Sequence, residues 1–222
     1  MDGLIHEKDW DEFIAELSSA IEGSSLPSVS IVAEQKPDPF RILISTIISL
    51  RTKDAVTLEA SGRLFSLADT PQGIAALSES AIAAAIYPAG FYNTKAKNIK
   101  AVSEIILRDY GGMVPRSIEA LLALPGVGRK TANLTLGLGY GISGICVDTH
   151  VHRVSNRMGI VDTKTPEDTE YALARILPER YWISINELLV RFGQKICTPA
   201  SPRCSICPCR VRCPKKGVGK SR

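Results

Sequence analysis

The chain has 222 residues, 45% of them apolar and 23% charged, enough for one large domain or two small ones and too apolar for a disordered chain. Its longest apolar stretch, Phe40 to Leu50, is interrupted by Arg41, Ser45, Thr46 and Ser49 and falls short of a membrane span. The first ten residues carry acids and no apolar core, which speaks against a secretory signal and for a soluble protein, cytoplasmic or nucleoid-associated. The net charge of +4 hides an uneven distribution. Residues 1–94 carry −7, 95–157 carry +5, 158–190 carry −3 and 191–222 carry +9. Two basic segments flanking an acidic one suit a surface that meets a polyanion on one side; a solvated basic tail is the plainer alternative.

In chain order the punctuation is helical. Asp38-Pro39 and Thr70-Pro71 each place a capping side chain before a proline at the first helical position. Phe40–Leu50 is apolar nearly all round and predicts a buried central helix. Asn93 is placed to cap a helix with Ala96, Ile99, Val102, Ile105 and Ile106 on one face, ended by Gly111-Gly112. Thr165-Pro166-Glu167-Asp168 starts another helix, with acids in its first turn. Alternating strand patterns are nearly absent. The expectation is an all-α chain of about ten helices with a mobile tail from Lys215.

A short helix over Ser117–Leu124 leads into Leu124-Pro125-Gly126-Val127-Gly128, and a second helix runs over Arg129–Gly139. Glycines on either side of one apolar residue permit tight backbone and close approach of a ligand. Free amides at the start of the second helix suit a phosphate; a plain helix–helix connection is the alternative. Lys130 lies in that first turn beside Arg129. The helix dipole and the neighbouring cation disfavour its ammonium form, as an amine nucleophile requires; a phosphate-binding lysine is the simpler reading. Eighteen residues on, Val147-Asp148-Thr149-His150 opens a helix that ends at Gly159. Asp148 can be its N-cap, a carboxylate serving a reaction, or both. His150 and His152, two apart, do not share a helical face and make a poor metal pair.

Five of the six cysteines fall between Cys197 and Cys213. Cys197-x6-Cys204-x2-Cys207-x5-Cys213 can close around one Zn²⁺ or one [4Fe–4S] cluster, and the long outer spacings suit the larger object. Cys209 competes with Cys207; the Cys204-x2-Cys207 hook favours Cys207. Arg203, Arg210, Arg212, Lys215 and Lys216 are interleaved with these cysteines.

Leu124–Asn133, Val147–His150 and the 6-2-5 cysteine spacing, with Ser49–Asp54 and Gly90–Ala96, closely resemble the endonuclease III family of helix-hairpin-helix DNA glycosylases, collinearly from about Pro39 to Cys213. The resemblance implies two helical domains with an interdomain cleft. One is a six-helix barrel, 32–142, carrying the hairpin; the other combines 1–31 with 143–222 and holds a [4Fe–4S] cluster on Cys197, Cys204, Cys207 and Cys213. It implies a bifunctional repair enzyme acting on double-stranded DNA with a damaged pyrimidine or an abasic site. Lys130 is then the Schiff-base nucleophile and Asp148 the supporting carboxylate, with strand cleavage 3′ to the lesion. Leu124, Gly126, Gly128 and Arg129 are implied to contact DNA, and Arg51 and Phe91 to fill the gap left by the flipped nucleotide. Arg51 departs from the glutamine common in the family, and Phe91 from an aliphatic residue. A non-catalytic, metal-stabilised DNA-binding module or a mismatch-specific glycosylase would share much of this pattern; Lys130 argues against both. No coiled-coil pattern is present, and a monomer is expected.

Overall fold

The structure, a computed structural model, describes residues 10–222. The N-terminal segment read above for a secretory signal lies outside them, except Trp10. Twelve α-helices and no strand occur among the described residues. No helix there is long and apolar enough to cross a membrane. They form two compact units: the described residues up to Leu26 with Ile145–Arg222, and Pro27–Gly144.

The central unit contains α2 (Ser28–Gln35), α3 (Pro39–Ser49), α4 (Asp54–Leu67), α5 (Pro71–Ala76), α6 (Glu79–Ile86), α7 (Tyr92–Tyr110), α8 (Ile118–Leu122) and α9 (Arg129–Tyr140). Asp38 caps α3 by accepting from the amides of Phe40 and Arg41, and Thr70 caps α5 through Gly73. The apolar run of the sequence becomes α3, with Ile42, Leu43, Ile44 and Ile48 fully buried. It packs on α2, α4, α7 and, most extensively, α9. Each such side chain contributes about 1.5–3 kcal/mol on leaving water. The unit begins at Pro27, ahead of the expected 32, because α2 packs on α3 and α4.

Two expectations fail here. The helix count exceeds ten: short, almost uniformly apolar segments such as α6 show little periodicity. Asn93 does not cap α7. The helix already begins at Tyr92, and its N-cap is Phe91, in the left-handed region at φ 57°. The predicted face is otherwise present: Ala96, Ile99, Val102 and Ile106 are buried, and Gly111, left-handed, ends the helix.

The other unit contains α1 (Trp10–Ala20), α10 (Thr149–Arg157), α11 (Pro166–Ala174) and α12 (Ser184–Lys195). Its core joins Trp10, Phe13 and Leu17 to Val151, Val154, Leu173, Leu189 and Phe192. Thr165 and Asp168 form a reciprocal capping box at α11. The tail is not the loose end expected. Lys216 N–H donates to Arg157 O (3.1 Å), Arg222 N–H to Pro202 O (2.9 Å) and Ser205 N–H to Arg222 O (3.1 Å), so the tail folds back on the cysteine loop.

Candidate active site and metal centre

The hairpin between α8 and α9 is shaped by apolar burial below and glycine above. Leu121, Leu124, Val127, Ala132 and Leu136 all enter the central core. Leu124 serves that core through its side chain. It is 3% exposed, its amide donates to Leu121 O and its carbonyl accepts from Val127 N–H. Gly126 sits at φ +76°, and a Cβ there would come within 2.3 Å of the Asn98 amide nitrogen. Gly128 has ordinary extended backbone at φ −103°, so conformation does not demand glycine there. A Cβ at Gly128 would meet nothing within 4 Å; what the missing side chain leaves accessible is the exposed backbone at the start of α9. No side chain caps α9. Arg129 and Lys130, both half-buried, occupy its first two positions.

Asp148 belongs to the other unit. Its Oδ1 accepts from the amides of His150 (2.8 Å) and Val151 (2.9 Å), so it is the N-cap of α10. Both capping bonds converge on one oxygen, which leaves Oδ2 outside the cap. The capping and chemical readings of Asp148 are thus compatible. His150 and His152 do diverge: His150 Nδ1 meets the Arg153 guanidinium, and His152 Nδ1 meets the Thr169 hydroxyl.

Arg51 and Phe91 are neighbours. The Arg51 guanidinium carbon lies 5.6 Å from the Phe91 ring centroid, a cation–π distance. Both are exposed, Phe91 to 64%. Both have left-handed backbone, Arg51 at φ 52° and Phe91 at φ 57°, a region that non-glycine residues enter at a cost. Beneath them lies a residue that the sequence reading included in a motif without a role. Lys95 is 5% exposed and is the one Lys, Arg, Asp or Glu among the buried side chains of the described residues. Burial pushes its pKa down to about 8. Three oxygens oppose that by accepting from its Nζ: Ile48 O (2.6 Å), Leu50 O (2.6 Å) and Thr52 Oγ1 (2.8 Å). Three protons for three acceptors make it an ammonium at neutral pH.

Cys197, Cys204, Cys207 and Cys213 line one cavity, with Arg157, Arg203, Arg210 and Lys215 around it. Cys209 is instead buried in the helical core at 2% exposure. The Cys209 Sγ lies 3.9 Å from Glu16 Oε2; the neighbouring Cys209 lowers the Cys207 thiol to about 7, while Cys209 itself is raised by Cys207 and by burial. Burial raises Cys197, opposed by the Arg157 guanidinium beside it. Arg157 donates to Thr198 O (2.7 Å) and Pro199 O (2.6 Å), and its Nη1 lies 3.8 Å from Cys197 Sγ. Arg153 donates to Cys197 O and Gly193 O, each at 3.0 Å. The sequence reading missed both arginines. Their signal was the i, i+4 spacing on α10, away from the buried Val151 and Val154. Among the described residues, no three His, Cys, Asp or Glu side chains converge closely enough to hold a single ion. Four thiols around one cavity are the donor set that an iron–sulfur cluster takes.

Residues 44–179 match the model of the HhH-GPD superfamily base excision DNA repair proteins. Endonuclease III of Thermotoga maritima is 47% identical over 191 residues, covering 85% of this chain and 90% of that one. Endonuclease III-like protein 1 of Bos taurus is 40% identical over 218 residues, covering 93% of this chain and 72% of its own. A solved structure of a trapped endonuclease III–DNA covalent intermediate, an estranged-adenine complex, superposes with a TM-score of 0.83 at 29% identity, covering 95% of this chain and 97% of the other. With the uncapped hairpin helix, the four-cysteine cavity and this extent of similarity together, the chain belongs to the endonuclease III family of the HhH-GPD base excision DNA repair proteins.

Proposed function

We propose that the chain is a bifunctional DNA glycosylase and abasic-site lyase acting on oxidised or ring-saturated pyrimidines in duplex DNA, with Lys130 as nucleophile and Asp148 as the supporting carboxylate. The observation that carries the reading is the setting of Lys130. It stands in the first turn of an uncapped helix directly after a glycine hairpin, in a chain 47% identical to an endonuclease III. The amides at the start of α9, beside Gly128, hold a backbone phosphate and so fix the strand without reading its sequence. The damaged nucleotide leaves the stack, and Arg51 with Phe91 takes the vacated space.

Lys130 Nζ, as the free amine, attacks C1′ of the extruded nucleotide. The N-glycosidic bond breaks, its electron pair leaves with the base, and the base takes up a proton. Asp148 stabilises the positive charge that develops on the sugar as the base departs and receives protons from the attacking amine. The nitrogen lone pair then forms the Schiff base to C1′ as the C1′–O4′ bond breaks, and O4′ takes a proton back from Asp148 as the sugar ring opens. Loss of a proton from C2′ then expels the 3′ oxygen, cutting the strand 3′ to the lesion. Water hydrolyses the Schiff base and frees Lys130.

Cys197, Cys204, Cys207 and Cys213 would hold a [4Fe–4S] cluster. When bound, it would cross-link the loop and hold its basic side chains in one arrangement against phosphate. The cavity lined by these four thiols, and the exclusion of Cys209 from it, support that ligand set.

Borohydride trapping on duplex DNA containing thymine glycol tests the reading. A covalent protein–DNA band is expected with the wild-type chain and none with Lys130→Gln. Base release without any trapped band would instead mean a glycosylase that does not use Lys130 as nucleophile. Neither product, on this or an abasic duplex, would leave a DNA-binding module.

A further inference from the structure

The exposed pair Arg51 and Phe91 stands on strained backbone, and strain of this kind persists only where the surroundings enforce it. Each residue reaches its place from a different element: Arg51 from the turn after α3, Phe91 from the start of α7. Lys95 joins the two, holding Phe91 through its own backbone and the Arg51 turn through its side chain. The Lys95 backbone N–H donates to Phe91 O (3.0 Å), fixing Phe91 one helical turn away. The Lys95 ammonium donates to Leu50 O and Thr52 Oγ1, the groups immediately before and after Arg51. Its third bond, to Ile48 O, ties it to the unpaired carbonyl end of α3. Thr52 Oγ1 also accepts from Gly90 N–H (3.1 Å), and a Cβ on Gly90 would stand 2.6 Å from Arg51 O. The two turns are thus pressed together backbone to backbone, with Lys95 at their junction.

We propose that Lys95 is a positioning residue: it locks the Arg51 and Phe91 turns into one rigid wedge, and so sets how well the enzyme holds a nucleotide out of the duplex. This rests on the function proposed above. A helix C-terminus alone does not call for a buried ammonium; water or a surface lysine meets that need at lower desolvation cost. Lys95 spends that cost where both bracketing groups belong to the wedge. It touches no reacting atom, so its loss acts through geometry.

The test separates duplex opening from chemistry. Lys95→Met keeps the length of the side chain and removes the ammonium. Base release from a thymine glycol duplex is expected to fall by about tenfold or more, as misplacement of a contacting group does. Borohydride trapping on a single-stranded abasic oligonucleotide, which has no stack to enter, is expected to stay within about twofold. In a Phe91→Ala background, Lys95→Met should add less than about twofold on the duplex, because the wedge it organises is already gone. Thr52→Val, which removes one acceptor and leaves the ammonium its other two, should show the same substrate split with a smaller fall; it serves if Lys95→Met fails to fold. Equal losses on both substrates, an unchanged duplex rate, or fully additive losses with Phe91→Ala would overturn the proposal. A wild-type chain that traps on neither substrate overturns the functional reading, and this inference with it.

Discussion

The hairpin and the cysteine loop are both basic, yet they are built on opposite principles. The hairpin of α8 and α9 is held from below by Leu121, Leu124, Val127, Ala132 and Leu136, and its backbone is shaped before any ligand arrives. The loop from Cys197 to Arg222 buries little beyond Cys197, Pro202 and Cys209. Its form depends on arginine bonds to carbonyls, on the returning tail and on four thiols around a cavity. Burial gives a shape that persists by itself; a loop stitched at its polar edges is the kind that a bound cluster would stiffen most. At the start of α10 the two meet in one residue, where the Asp148 carboxylate makes capping bonds through Oδ1 and is proposed above to serve the reaction.

The largest effect is expected where structure and chemistry meet on one carboxylate. Asp148→Asn keeps a good N-cap and removes the charge. Base release should fall by about a hundredfold or more with thermal stability nearly unchanged, whereas Asp148→Ala should lose both. Undiminished base release by Asp148→Asn would reduce Asp148 to a cap. Next come the thiols. Cys207→Ser should lose bound iron, measured by absorbance and metal analysis, and weaken duplex binding through the loop. Cys209→Ala should retain the iron; iron lost from Cys209→Ala and kept in Cys207→Ser would reverse the ligand assignment. In the hairpin, Gly126→Ala forces a side chain into left-handed backbone and against Asn98. It should cost about 1–2 kcal/mol in a denaturation midpoint and weaken binding to duplexes of any sequence, with iron content intact. The smallest is Thr165→Ala, which removes one half of the α11 capping box, far from either basic region along the chain. About 1 kcal/mol of stability and no change in DNA affinity are expected.

Capping chemistry made much of the fold legible in the sequence. Asp38, Thr70, Asp148 and Thr165 each cap the helix that their local pattern predicts, because an N-cap is a contact across two or three residues. Phe40–Leu50 announced its burial by having no polar face. Asn93 failed because the signal was equally local but the outcome was not: Phe91 is held in an unfavourable backbone by contacts from the turn after α3. The tail failed for the same reason. Nothing between Lys215 and Arg222 indicates that Arg157 and Pro202, far back in the chain, supply its hydrogen-bond partners.

By itself, then, the sequence determined the all-helical class, the helix starts marked by Asp38, Thr70, Asp148 and Thr165, the glycine hairpin with Lys130 and the spacing of four thiols. These are properties of neighbouring residues, set by backbone geometry and hydrogen-bond reach. Only the tertiary structure decided that Leu124 serves the core, that Cys209 turns away from the cavity its neighbours line, and that Arg153 and Arg157 bind the carbonyls of the cysteine loop. It alone placed Lys95 beneath Arg51 and Phe91. An ammonium forty-odd residues from its acceptors has no local signature; it is buried only because one distant turn, residues 48–52, supplies three oxygens at one point.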